Sequence, residues 1–185
     1  MILSSHIVAA SALSAPLINQ PFSFLNSALV FIISFLSHFL IDMIPHWDYK
    51  TAFGEKIKKA DEFVDSKELK NLFQSDLVKF FFDGILGIVL SLAIFNFSDF
   101  LIDFNFEKIF MFSLIILGGI LPDALNAFYF FRKKYLNEKS FLEYFHRFHN
   151  SVHGKSIFNG KFFLGAFSQI LTIVEIIFLI KLFQQ

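Results

Sequence analysis

Hydrophobic positions in this chain run in long unbroken stretches, so the length of each stretch, more than any alternation, predicts the elements. A helix that crosses a hydrocarbon core of about 30 Å needs about 20 mostly apolar residues, each rising about 1.5 Å. The stretches Phe22 to Ile44, Leu77 to Asn96, Lys108 to Phe131 and Phe162 to Phe183 meet that length. Ile7 to Ile18 is shorter and rich in Ala and Ser. Alone it suits a re-entrant or interfacial piece, but its small side chains also suit close packing against another helix. Pro16, Asn19, Gln20 and Pro21 predict a tight turn into the next stretch. The pattern therefore predicts an all-α, polytopic membrane helix bundle of about five transmembrane helices, forming one integral membrane domain over 1–185.

The polar connections give that bundle an orientation. If the chain changes side at every span, Met1, His46 to Lys79 and Arg132 to Lys161 share one side. Of the 16 Lys and Arg residues, only Lys108 and Lys181 fall on the other. Positive residues concentrate on the cytoplasmic side, which predicts an inside N-terminus and an outside C-terminus. The loop at about 47–76 mixes acidic and basic residues, as a water-exposed, partly helical segment does. The segment at about 132–160 is rich in His and predicts a cytoplasmic amphipathic helix.

Composition narrows the function classes. A chain of 185 residues that is 55% hydrophobic, with 30 Phe, has more apolar surface than a soluble core of this size hides. A net charge of zero gives no reason to expect nucleic acid as a partner. The absence of Cys excludes disulfides, thiolate metal sites and a Cys nucleophile, leaving His, Asp and Glu for any metal chemistry. No basic residue precedes the first apolar stretch, so the expectation is that it is retained rather than cleaved as a secretory signal.

Several polar residues stand where hydrophobicity alone would not put them. His6 opens the first stretch. His38 and Asp42 are spaced i,i+4 near the end of the second, so a helix sets them on one face about one turn apart. Pro45 disfavours helix at Ile44 and puts His46, Trp47 and Asp48 on the turn beyond. Asp83 lies near the start of the next span. Asp123 follows Gly118, Gly119 and Pro122, which allow a kink or a close approach. Glu143, His146, His149 and His153 share one helical face. Under the alternating topology all of these fall at the cytoplasmic ends of spans or in cytoplasmic loops.

Each residue also has a plainer reading. His6 can be an interfacial or capping residue. His38 and Asp42 can be a buried pair that only joins helices, although ionisable residues in apolar sequence usually face a protein interior or a wet cavity. Asp83 and Asp123 can reach interfacial water. The His-rich face can be the polar side of an interfacial helix whose Phe141, Leu142, Phe145 and Phe148 dip into lipid. Glu143 and His146 fit that surface reading better than His149 and His153 do. His46 and Trp47 can be an interfacial anchor. Glu175 lies towards the opposite side and suits an interhelical bond. Taken as a set, His6, His38, Asp42, Asp123, His149 and His153 are candidate ligands of a divalent metal, zinc first and Mn²⁺ or Fe²⁺ next, with Asp83 or His46 as a general base.

On Ser5-His6 with Ala9-Ala10, His38-Phe39-Leu40-Ile41-Asp42, Leu121-Pro122-Asp123 and His149-Asn150-Ser151-Val152-His153, the chain resembles a family of small inner-membrane proteins described as membrane-bound metal-dependent hydrolases, itself loosely similar to zinc-dependent phospholipase C proteins. The resemblance implies an integral protein of a bacterial or archaeal cytoplasmic membrane that hydrolyses phosphoesters or lipid headgroups with a bound metal. The family commonly carries Pro-Asp-x-Asp, whereas Asp123 here is followed by Ala124 and Leu125. Two other functions fit the same residues: a non-catalytic membrane protein whose His-Asp contacts fix helix packing or dock a partner, and a small metal or proton transporter. The polar groups gather at one face rather than tracing a path across the bilayer, which weakens the transporter.

Overall fold

The computed structural model describes residues 3–44, 46, 66–95, 104–136, 141–153 and 161–183. Within them the chain forms six helices and no strand: α1 Leu3–Ile18, α2 Phe24–Asp42, α3 Ser66–Leu92, α4 Phe106–Leu136, α5 Phe141–Val152 and α6 Phe162–Phe183. Trp47 and Asp48 lie outside the described residues.

The short first helix is the centre of the bundle. α1 packs against α2, α3, α4 and α6, and most of its length is buried. Its Ser and Ala side chains are what allow so many neighbours to approach at once. Gly87 of α3 sits where a Cβ would fall 2.8 Å from the Ser4 backbone, and Gly119 of α4 where one would fall 3.2 Å from Ala10 Cβ. Gly118, the next residue, faces α2 instead, with a Cβ position 2.7 Å from Ser34 Cβ and 2.9 Å from the Phe31 carbonyl oxygen. Consecutive glycines on α4 thus let it press against α1 and α2 together. Ser14 and Ser34 join α1 to α2 by a buried hydrogen bond of 3.0 Å between their hydroxyls.

Contacts along the helices fix their directions. Gly84 faces Leu3 and Gly87 faces Ser4 and Ile7, so α3 runs parallel to α1. Phe22 packs on Phe110, Gly118 on Ser34, and Asp123 lies beside His38, so α4 runs parallel to α2. Gly119 meets Ala10 and His6, while Met111 and Ile115 share a buried cluster with Ala15 and Ile18, which makes α4 antiparallel to α1. That cluster, completed by Val30, Phe95 and Phe112, fills one end of the bundle. The other end gathers His6, His38 and Asp42, all buried.

Helix ends follow local chemistry. Ser23 caps α2, its hydroxyl accepting the Asn26 N–H at 3.1 Å. The unmatched Leu3 N–H in the first turn of α1 donates to the Asp83 carboxylate on α3. α2 stops at Asp42, as Pro45 requires, but Pro16 lies inside α1, so the turn into α2 begins only after Ile18. α3 starts well before the expected span, within the segment expected as a loop, and α4 runs past Phe131 to Leu136.

Outward-facing positions are apolar. On α2 the exposed stripe is Leu25, Leu29, Ile32, Leu36 and Leu40, while Ser27, Ser34, Ser37, His38 and Asp42 are buried. α6 exposes Phe163, Phe167, Ile170, Val174 and Phe178 and buries Gln169. A water-soluble bundle shows the opposite arrangement. Among the described residues two segments, Phe24–Asp42 and Phe106–Phe130, are long and apolar enough to cross a membrane. Of the other expected spans, α1 is apolar but 16 residues long, the apolar stretch of α6 among the described residues is Phe163–Phe178, and α3 is charged along its first half.

Candidate metal centre

α2 carries His38 and Asp42 one turn apart, and its inward stripe aims both at α1 and α4. His38 Nδ1 donates to the Gly119 carbonyl at 2.8 Å. A carbonyl can only accept, so Nδ1 holds the proton and, in the neutral ring, Nε2 presents a lone pair. Around that nitrogen stand Asp42 Oδ2 at 3.2 Å, His149 Nε2 at 3.2 Å and Asp123 Oδ1 at 3.6 Å. His149 Nε2 is itself 3.4 Å from Asp42 Oδ2 and 3.5 Å from Asp123 Oδ1. Four donors bound to one tetrahedral zinc at about 2.1 Å would be separated by about 3.4 Å. The five separations above, 3.2 to 3.6 Å, bracket that value.

The surroundings fit the same species. Both carboxylate oxygens of Asp42 are buried and make no hydrogen bond, a costly state for a charge unless a cation faces it. His6, fully buried on α1, stacks its ring on His38 with centroids 3.9 Å apart and brings Nε2 to 3.4 Å from Asp42 Oδ1. Among the described residues, groups of donors able to hold a metal ion are His6, His38 and Asp123; His38, Asp42 and His149; and Asp42, His46 and His153, each within 4.8 Å. The donor set is imidazole and carboxylate only, which suits Zn²⁺, Mn²⁺ or Fe²⁺.

α5 delivers the third wall. Phe145 and Phe148 pack on Phe39 of α2 at 6.2 and 5.2 Å between ring centroids, turning His149 inward. The aromatic face therefore docks against protein at Phe145, while Phe148 touches Phe39 yet stays half exposed and Phe141 and Tyr144 are exposed. His146 joins α5 to α4: its ring stacks on Tyr129 at 4.3 Å, and Nδ1 donates to Asn126 Oδ1. Glu143 pairs with Arg147 at 2.6 Å on the surface. Neither belongs to a donor group; His146 packs between α5 and α4 rather than on the surface, and its docking partner Asn126 carries no signal in the sequence beyond being polar in an apolar helix. Gly119 was legible as a point of close approach and not as the acceptor that orients His38.

The remaining candidates separate. Asp83 is in none of the donor groups, and one of its oxygens accepts the Leu3 N–H. His46, expected as a base, lies instead among the donors, with Nδ1 donating to the Ile44 carbonyl at 2.6 Å. Burial holds its imidazole well below the ordinary value, at about 4, so it is neutral at pH 7. Glu175 is exposed on α6. The Asp123 side chain is 42% exposed, against 2% for Asp42, so the cluster opens to the outside along the Asp123 edge. No protein-family profile, curated protein or solved structure matches this chain.

Proposed function

We propose that the chain is a polytopic membrane protein whose His38, Asp42, Asp123 and His149 hold a divalent metal, zinc foremost, and that this centre hydrolyses a phosphate ester at the cytoplasmic surface of the membrane. The observation that carries the proposal is the five donor separations of 3.2 to 3.6 Å that link His38 and His149 to each other and to Asp42 and Asp123, around a buried Asp42 with no hydrogen bond. A bound divalent ion would supply Lewis acidity towards a phosphoryl oxygen and towards water. Asp42 balances the charge from the dry side. His38 is held in its ligating tautomer by Gly119, and Phe39 and Phe145 pack behind the site and keep water from it. Asp123, at the open edge, is the side chain an incoming ester meets first. The bilayer setting is supported by the apolar exposed stripes of α2 and α6 and by the parallel pairing of α1 with α3 and α2 with α4, as five alternating spans require.

A proton can replace the ion in one competing reading. His38 protonated on both nitrogens would donate to Gly119 and to Asp42, and the pair would only pin helices together. Metal analysis of detergent-purified protein separates the two, repeated on His38→Ala. Hydrolysis of phosphomonoester, phosphodiester and phospholipid substrates, with Zn²⁺ or Mn²⁺ and with chelator, then tests the reaction. The expected result is metal lost in the variant and turnover abolished by chelator. Metal-loaded protein inert towards every ester would leave a metal centre without hydrolytic activity, and protein without metal would remove the centre and leave the proton-linked pair.

A further inference from the structure

Beyond the four donors around His38 stands a second set, made of Asp42, His46 and His153, whose ligand atoms lie within 4.8 Å of one another. It is not a continuation of the first. Asp42 turns Oδ2 to His38 and His149, at 3.2 and 3.4 Å, and its other oxygen, Oδ1, towards His6 and His153, at 3.4 and 4.0 Å. Both oxygens are buried without a hydrogen bond, so each face of the carboxylate is directed at imidazole nitrogens. His46 repeats the device seen at His38: a backbone carbonyl accepts from Nδ1, leaving Nε2 as the ligating atom. The His46 and His153 rings lie 4.8 Å apart, edge to face, close enough to serve one ion. His46 is buried and His153 is 26% exposed, which gives this set an opening of its own.

We infer that Asp42 is a bridging carboxylate and that His46 and His153, with Asp42 Oδ1, hold a second divalent ion beside the first. The inference deepens the proposed centre and rests on it. Paired ions sharing a carboxylate are a recurrent arrangement for phosphate esters, one ion facing the attacking oxygen and the other the leaving one. It also accounts for donors in excess of what one tetrahedral ion accepts.

The test is stoichiometry and magnetic coupling rather than turnover. Detergent-purified full-length protein, stripped and reloaded with Mn²⁺, should bind about two ions per chain and give the broad multiline spectrum of an exchange-coupled pair by electron paramagnetic resonance. A His46→Gln, His153→Gln double variant should bind about one and give the isolated six-line signal. Wild-type protein that binds one ion with only the six-line signal overturns the second site while leaving the first standing. Wild-type protein that binds none overturns both. Because the wild-type measurement decides by itself, misfolding of the variant cannot rescue the inference.

Discussion

At the residue scale, Asp42 and Asp83 show how differently two aspartates in apolar sequence are used. Asp42 faces four imidazoles, three of them within 3.4 Å, with no hydrogen bond to share its charge. Asp42→Asn should therefore lose bound metal almost completely. Removing a buried carboxylate charge that only imidazoles face relieves a desolvation cost, so the apo variant should melt no lower than apo wild type; metal analysis and a thermal scan of chelated protein check both. Asp83 accepts from the first turn of α1, where a carboxylate gains about 0.3–1 kcal/mol from the helix dipole. Asp83→Asn keeps an oxygen that can accept the Leu3 N–H, so metal content should be unchanged and stability should fall by no more than about 1 kcal/mol. If Asp83 transferred protons, the same change would slow turnover by about 10²–10⁴-fold with metal retained, and that measurement decides between a cap and a base.

At the element scale, glycines report how closely helices approach. Gly118→Ala puts a methyl 2.7 Å from Ser34 Cβ and 2.9 Å from a backbone oxygen, contacts that neither helix can relieve without separating. It should cost about 1–3 kcal/mol and weaken metal binding, because the same separation pulls Asp123 from His38. Gly84→Ala meets only Leu3 Cδ2 at 3.5 Å, ordinary contact, and should stabilise by about 0.5–1 kcal/mol through helix propensity. Thermal melts of the two variants in one detergent should move in opposite directions. The orientation of α5 is tested in the same way: Asn126→Ala removes the acceptor that seats His146, and metal affinity should drop about 10- to 100-fold without loss of any ligand. The spacing of His38 with Asp42, and of His149 with His153, made these elements legible in the sequence, because i,i+4 on a helix fixes a shared face whatever surrounds it. The reach of α3 back to Ser66 and the inward docking of Phe145 were not legible. Both depend on which neighbour covers a face, and a run of mixed charge or an aromatic stripe reads alike against water, lipid or protein.

At the scale of the whole molecule, the sequence pattern foresaw that polar side chains from separate helices meet at one end, since alternation of sides forces it. It could not foresee that the shortest helix would be the hub, because Ala and Ser in α1 declare close packing and not the number of partners. That central position bears on topology. α1, with 16 residues, spans only about 24 Å, yet it runs parallel to α3 and antiparallel to α4 along its length, so it shares their layer instead of lying across it. If α2 and α4 cross the bilayer, α1 crosses with them, shielded from lipid by its neighbours. On the expected five-crossing topology the two termini lie on opposite sides, and the clustering of Lys and Arg between His46 and Lys79 and between Arg132 and Lys161 predicts an inside N-terminus. Reporter fusions after Gln185 and within the loop near Lys59 should accordingly report opposite sides. If both read the same side, an even number of crossings separates them and, with α4 crossing, one of α3 and α6 does not. The cluster built from α1, α2, α4 and α5 would keep its geometry in that case, because none of its donors comes from α3 or α6.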